Sequence, residues 1–568
     1  MMVKTCFVVL LLWISMLPAR EPLVLARIQL SSPEDIVLLE DMHLDRASLA
    51  VTDHIDVVVS HDELLEIQRR GFSTRILQRE EDVLIPTEYH TVVETWEVLD
   101  SLHQQYPAIT ELDTCGYSQR FGMPIPLFTI SNNIGVREDE PAALLDAMHH
   151  AREPIGNEIC IYTIKWILDN YPDSADAQKW VDSMELQFVP IVNPEGWQYI
   201  LDNSLNYPWW RKNLRDNGNN GGPVIPDSDG VDLNRNYDWR WEVGGSSDPT
   251  SWVYRGPSPN SESEVQALVA LANERKYLVG LTYHSYGYDV LYPGRYQGTY
   301  TPDATTLIDI AQNMCFHMNG YVPGYLDSYS MSAVWFYGQT GTYDLLIETA
   351  LSFIPHPDTI PIECEKNFAG IRYLFNRTFY SGVTGHVLDS LTLLPLEATL
   401  EVTGLSGDTI TPRTSDSLFG RFYRLLTDGN YSIRFSKPGY VTKTISDIPV
   451  TSDSLTKLEV LLVPAMGTTE GKVTNLGDTE FQAWPNPFTH VTDITYGIID
   501  HEHITLKIYD ITGQLVRDLS GQVSAIDRQM SVQWDGTDEA GRKLPAGIYF
   551  CRLQDNAGSH FGKLLMMR

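Results

Sequence analysis

Five apolar runs, PLFTISNN, LLDAMHH, LQFVPIVNP, VGLTYHS and DLLIETA, recur between Pro126 and Ala350, and each stops abruptly at polar residues. Helical apolar patterns separate them, beginning with the capped amphipathic stretch YHTVVETWEVLDSLHQQYP from Tyr89. Strands alternating with helices are compatible with one arrangement above all, an α/β sheet covered by helices on both faces. Ligands bind such open sheets in the crevice outside the carboxyl ends of the strands. The polar residues that end these runs are therefore the first place to look for chemistry.

This pattern fills residues 87–380, and a chain of 568 residues is too long for one core. Residues 26–85 read as strand, helix, strand, helix, strand, a small α/β domain. Past Gly382 the texture changes to short alternating segments with Gly and Asn turns, which predicts an antiparallel β-sandwich over 382–463 and a second β domain over 478–568. The expected fold is thus multidomain: an α/β catalytic domain with a mixed sheet, a small α/β N-terminal domain and two C-terminal β-sandwiches. At the front, MMVKTCFVVLLLWISMLPAR places Lys4 before an apolar run from Cys6 to Leu17 and then Ala19, so residues 1–20 read as a secretory signal peptide. The run is shorter than the roughly 20 residues of a spanning helix. The mature protein is therefore expected outside the cytoplasm, secreted or at the cell surface, with no transmembrane anchor.

The formal charge of −33 argues against nucleic acid as a partner, because phosphate contacts need clustered Lys and Arg. The acidic surface admits a Ca2+ ion without any ligand spacing that marks a site for one. Cys115, Cys160, Cys315, Cys364 and Cys551 follow the signal without CxxC spacing, so they form neither a zinc framework nor a dense disulfide scaffold, and leave room for one disulfide in the central domain.

The densest chemistry lies in AMHHAREPIGNE, residues 147–158. His150 and Glu153, three apart, fall on one side of a helical turn, a spacing at which both can grip one ion. A catalytic zinc takes three protein ligands and keeps one position open. His284, at the end of the VGLTYHS strand, offers a third. Between them, WWRKNLRDN and GVDLNRNYDW bring Arg211, Asn234 and Arg235, whose planar donors suit a carboxylate. Glu348 closes the otherwise apolar DLLIETA run, a position for a general base. Alone, each residue reads as a satisfied core histidine or a surface glutamate; the conjunction carries the reading. The HEH of His501 to His503 lacks zinc-helix spacing and reads as a solvated turn.

In order, HARE at His150, VNPEGW at Val192, WRKN at Trp210, GVDLNRNYDW at Gly230, YRGPSPNSESE at Tyr254, YHSYG at Tyr283 and the Glu348 strand resemble the successive motifs of the zinc metallocarboxypeptidases. The resemblance implies that His150, Glu153 and His284 bind Zn2+, that Asp232 orients His150, and that His149 only flanks the site. It further implies Glu348 as the base acting on a zinc-activated water, Arg211 facing the oxyanion, Asn234 and Arg235 clamping the free C-terminal carboxylate, and Arg152 touching the penultimate part of the substrate. The family's mobile tyrosine matches Tyr325 with a one-residue insertion, or Tyr329. Its preference-setting position matches Ala333, which implies a roomy neutral pocket for apolar or aromatic C-terminal residues, with Asp327 nearby able to overturn that preference. The implied partners are peptides or proteins with a free C-terminus.

The outer pieces carry weaker resemblances. Ala26 to Arg79 is similar to propeptide-like regions, implying folding assistance or latency. The Gly382 unit resembles the transthyretin-like or carboxypeptidase-regulatory sandwich. The last 90 residues resemble FlgD-like or type IX sorting domains, which implies an encounter with secretion machinery. Two rival readings keep the fold: a zinc hydrolase of cell-wall peptides or N-acyl amino acids, and an inactive adhesin.

Overall fold

The computed structural model describes residues 22–47, 53–296, 299–326, 330–405, 410–465, 481–497, 505–510, 514–520, 524–526, 529–555 and 558–567. The signal-like segment, Asp327, Tyr329 and His501 to His503 lie outside them. The chain divides into two compact units, 1–465 and 466–568.

The first unit opens with β1 (Val24–Gln29), a 3-10 helix (Pro33–Met42), β2 (Asp45–Arg46), β3 (His54–Val59), α1 (His61–Arg69) and β4 (Thr74–Arg79). The strands form an antiparallel sheet in the order β2-β3-β1-β4. The sequence predicts the first helix; it is a 3-10 helix, ended by His43 in the left-handed region. Side chains alternate across β3 as strand geometry requires. Ile55, Val57 and Val59 pack into this sheet's own core, whereas Val58 turns to the other face with Leu23, Leu25 and Ala47 and meets Trp209, Tyr286 and Phe353.

The large α/β domain contains α2 (Val92–Gln105), β5 (Thr110–Tyr117), β6 (Pro124–Ile130), β7 (Ala142–Ala147), α3 (Ile155–Asn170), α4 (Ala175–Ser183), β8 (Glu185–Val189), α5 (Pro194–Asp202), α6 (Ser263–Arg275), β9 (Val279–His284) and β10 (Asp289–Pro293). A short ribbon, β11 (Arg295–Tyr296) and β12 (Thr299–Tyr300), is followed by α7 (Ala304–Met318), β13 (Val322–Leu326), α8 (Ser332–Trp335), β14 (Tyr343–Glu348) and α9 (Ile360–Arg377). Thr91 caps α2 through a reciprocal bond with Glu94. The eight-stranded sheet has the order β13-β10-β14-β9-β7-β8-β6-β5 and is mixed. Its central strands are buried on both sides. In β7, Ala143, Leu145 and Ala147 join the core under α3 and α9, while Ala142 and Leu144 join the core under α6. That double burial explains why β7 reads as a continuous apolar run rather than an alternating one.

Next, β15 (Gly382–Asp389), β16 (Thr399–Val402), β17 (Arg413–Thr414), β18 (Arg421–Leu425), β19 (Gly429–Ser436), β20 (Lys443–Val450) and β21 (Leu455–Leu462) form two sheets, β18-β15-β21 and β17-β16-β19-β20, around one apolar core. The expectation of a wholly antiparallel sandwich needs correction, because β15 and β21 run parallel. The first and last strands of the domain pair directly, and the intervening chain crosses to the other sheet and back twice, returning first as β18, antiparallel to β15, and then as β21, parallel to it. In the second unit two four-stranded sheets enclose a core around Trp534 and Phe488. Among the described residues, no helix is long and apolar enough to cross a membrane, and all five cysteines are free, including the four of the first unit. The admitted disulfide is therefore not formed.

Candidate metal centre and active site

Three neighbouring strands, β7, β9 and β14, run parallel, so their carboxyl ends emerge at one edge of the sheet. His284 ends β9 and lies in register with Glu348, which ends β14. The chain leaves β7 at Ala147, and Met148 adopts a left-handed φ of 60° that swings His149 and His150 across the edge. The Glu153 N–H then donates to the His150 carbonyl at 3.2 Å. The expected helical turn is thus a separate turn just before α3. Gly156 makes this placement possible: a Cβ there would lie 2.8 Å from the Cβ atoms of both Ala147 and Tyr283.

One Nδ1 or carboxylate oxygen from each of His150, Glu153 and His284 lies within 4.8 Å of the others, and all three side chains are buried. His150 Nδ1 is 2.9 Å from Glu153 Oε1, and His284 Nδ1 is 2.8 Å from Glu153 Oε2. Two imidazoles and a carboxylate converging on one point are the donor set of a catalytic zinc site. The remaining ring nitrogens are held from behind: Asp232 Oδ1 lies 3.2 Å from His150 Nε2, and Asn234 Nδ2 lies 3.1 Å from His284 Nε2. The Asp232 carboxylate, as an acceptor, fixes the tautomer and ring orientation of His150. Burial works to raise the Glu153 and Asp232 carboxyls, but His150 and His284 outweigh it for Glu153, and Arg211, Arg235 and His150 for Asp232. Both are held below the usual carboxylate range. His284 is pushed down to about 4, chiefly by burial, so it is neutral and available as a ligand at physiological pH.

Arg211 donates from Nε and Nη2 to Asp232 Oδ2 at 3.0 and 2.9 Å. Arg235 is buried beside it and donates to the Asn234 carbonyl at 2.7 Å. The Asn234 amide is engaged on both sides, since its Oδ1 also accepts the Ser332 N–H at 2.8 Å. Glu348 is buried, and its Oε2 accepts no hydrogen bond. Burial first, then the negative charges of Glu153 and Asp289, push its carboxyl well above the usual range. Asp289 faces Glu348 across the β10–β14 pair. Its only signal in the sequence is an acid opening an apolar strand.

Residues 95–370 match the zinc carboxypeptidase family model, and residues 499–559 match the FlgD Ig-like domain. Carboxypeptidase B of Astacus astacus is 31% identical over 234 residues, covering 40% of this chain and 71% of that relative. The chain belongs to the zinc carboxypeptidase family. Carboxypeptidase A2 of Rattus norvegicus is 30% identical over 226 residues, 39% of this chain and 51% of that protein. The chain spans about half to just under two thirds of the length of the first curated relatives it matches. The crystal structure of carboxypeptidase A from Helicoverpa armigera shares the fold, with a TM-score of 0.54 at 20% identity over 62% of this chain and 96% of that one.

Within this carboxypeptidase domain the remaining candidates are less centrally placed. His149 bonds Tyr237 Oη through Nε2 at 2.8 Å and sits beside Asp146 and Thr282, away from the converging donor atoms. Tyr325 lies on the edge strand β13, half-exposed, with Arg295 4.9 Å above its ring, and no bond joins it to His150, Glu153 or His284 among the described residues. Ala333 is fully buried in α8 with Leu291, Leu326, Met331 and Leu346.

Arg152 is also fully buried, 4.0 Å over the Phe353 ring, and it reveals a residue that the sequence did not mark. Asp45 of the N-terminal sheet accepts two bonds from Arg152, at 2.7 and 2.9 Å, and lies 3.4 Å from Arg211 Nη1. Its neighbour Arg46 is half-buried, within the electrostatic reach of Arg235. The two-residue strand β2 therefore brings a carboxylate to the arginines of the cleft, and Tyr286 Oη adds a 3.0 Å bond to Asp56 of β3. Asp45 sits in MHLDRAS with no local signature, because its role depends on a surface 107 residues further along the chain.

Proposed function

We propose that the protein is a zinc-dependent carboxypeptidase that removes the C-terminal residue of peptides or proteins outside the cytoplasm. The observation that carries this reading is the convergence of His150, Glu153 and His284 beside Glu348 at the edge of β7, β9 and β14, with Arg211 bound to the same Asp232 that holds His150. A bound Zn2+ supplies a water of lowered pKa and polarises the scissile carbonyl. Glu348, buried with its Oε2 unbonded, acts in its ionised form, taking a proton from water and returning it to the departing amine; the positive charge of a bound ion would offset the burial and neighbouring carboxylates that otherwise favour its protonated form. Arg211, fixed through Nε and Nη2, offers Nη1 to the developing oxyanion once Asp45, 3.4 Å from it, has withdrawn. Arg235 and Asn234 receive the free carboxylate, and Arg152 contacts the preceding part of the substrate. The small Ala333 supports a preference for neutral or apolar C-terminal residues.

The apolar segment behind Lys4 supports export, and the FlgD-like match supports a sorting or attachment role for the last domain. Asp45 supports latency: while β2 occupies Arg152 and the Nη1 side of Arg211, the parts of a substrate proposed to meet those two arginines cannot. That occlusion is also what an adhesin built on this fold would require, so one experiment separates the two. Zinc content and release of the last residue from blocked dipeptides ending in Phe, Leu, Arg or Glu are measured for the full chain, for a chain starting at Thr87, and for its Glu348→Gln variant. Release by the shortened chain, lost in Glu348→Gln while zinc stays bound, supports the carboxypeptidase. Zinc binding without any cleavage in the shortened chain favours the adhesin or a different acyl substrate.

A further inference from the structure

A cavity of about 370 Å3 lies between the carboxypeptidase domain and the β15–β21 sandwich, lined by Gln339 to Gly341 on one side and by Thr411, Arg413 and Arg424 on the other. Charged side chains line it, and nearly every cation among them is matched. Arg137, Arg275, Lys276, Arg421 and Arg424 each have a carboxylate oxygen within 3.2 Å. Arg413 is the exception. Its side chain is only 9% exposed, yet none of its three guanidinium nitrogens makes a hydrogen bond among the described residues. The closest carboxylate oxygen, Asp303 Oδ2, is 4.0 Å away and already accepts a bond from Tyr337 Oη at 3.1 Å, while Asp303 Oδ1 accepts Arg424 at 2.5 Å. Two buried guanidiniums thus share one carboxylate, and Glu138 and Glu140, which also line the cavity, make no ion pair with Arg413 among the described residues. The guanidinium is held in place by the Tyr337 ring at 4.9 Å and by Gly341, where a Cβ would come within 2.9 Å of Arg413 Cδ.

A buried, positioned and unbonded guanidinium is costly unless a counter-ion completes it. We propose that this cavity is a binding site for a small oxyanion, a carboxylate or a phosphate-like ion, taken in two-pronged fashion by Arg413. The planar fork of arginine matches both kinds of ion. The cavity also has room for several waters beside it, since a water's share of liquid volume is about 30 Å3. The site sits where the sandwich grips the segment that follows α8: the Thr411 N–H donates to the Gly338 carbonyl at 2.8 Å, and Thr411 Oγ1 donates to Gln339 at 2.8 Å. An anion bound there bridges the two domains and stabilises their contact. The site is separate from the metal centre, and its existence does not depend on the enzymatic reading.

The test uses the full chain in thermal unfolding, with sodium acetate or sodium phosphate replacing chloride at constant ionic strength. A saturable rise in Tm is expected with at least one of the two, and the larger response distinguishes a carboxylate from a tetrahedral ion. In Arg413→Gln the midpoint of that titration shifts at least tenfold or the response disappears. Equal shifts in both proteins, or none in the wild type, overturn the proposal. Should Arg413→Gln fail to fold, crystals of the wild type soaked in selenate and in acetate decide: density for either ion within hydrogen-bond reach of the Arg413 guanidinium supports the site, and its absence from both at saturating concentration refutes it.

Discussion

Replacing Asp45 by alanine should open the cleft of the intact chain. The Asp45 to Arg152 pair has two bonds, at 2.7 and 2.9 Å, between side chains that are 1% and 0% exposed. Solvent screens such a pair little, and removing one partner of a buried pair costs about 3–5 kcal/mol because the other is left uncompensated. If that cost falls on docking of the N-terminal sheet, the closed state weakens by roughly two to three and a half powers of ten, at about 1.4 kcal/mol per power. The apolar contact of Leu23, Leu25, Ala47 and Val58 with Trp209, Tyr286 and Phe353 remains and limits how far the sheet departs. The assay is kcat/KM for a blocked dipeptide ending in Phe or Leu, compared among the full chain, its Asp45→Ala and Asp45→Asn variants, and a chain starting at Thr87. The expected order places Asp45→Ala between the full chain and the shortened one. If Asp45→Ala stays as inactive as the full chain while the shortened chain is active, the apolar surface alone closes the cleft and the carboxylate argument fails. If all four are equally active, the N-terminal sheet does not close the cleft.

Glu348→Gln should abolish hydrolysis with zinc content unchanged, and loss of zinc in that variant would place Glu348 among the ligands instead. Asp232→Asn should weaken zinc binding about 10- to 100-fold in a competition titration, since it loosens the ring of His150 and frees Arg211; unchanged affinity would count against that role. Gly156→Ala should cost about 1–3 kcal/mol in denaturant unfolding, because the new methyl meets Ala147 and Tyr283 at 2.8 Å, and a neutral result would mean that α3 shifts freely. Burial and the neighbouring Glu262 raise Glu264 from 4.5 to about 8. Between those values the folded state binds the extra proton, so stability is highest below the unfolded pKa, declines as pH rises through this window and levels off above it. Glu264→Gln should flatten that decline in Tm, and an identical slope in both proteins would show that Glu264 does not titrate there.

The convergence of His150, Glu153 and His284 was legible in the residues themselves. HARE, the terminal histidine of VGLTYHS and the terminal glutamate of DLLIETA each combine a ligand or base with a strand end, and strand ends in an α/β sheet share an edge by topology. The double-sided burial of β7 and the cap of α2 were equally local, since each follows from side-chain spacing. The parallel course of β15 and β21 was not, because strand direction within a sandwich depends on how the chain crosses between sheets and leaves no mark on alternation. Asp45, Asp289 and Arg413 were silent for a related reason. Each is an ordinary charged residue in its own segment, and acquires its meaning from what faces it: Arg152 across a domain contact, Glu348 across a strand pair, and a cavity in which every other cation is already paired. Sequence patterns report what a residue does to its own helix or strand, whereas burial and partners at long range set the field that a charge feels, and only the folded chain supplies them.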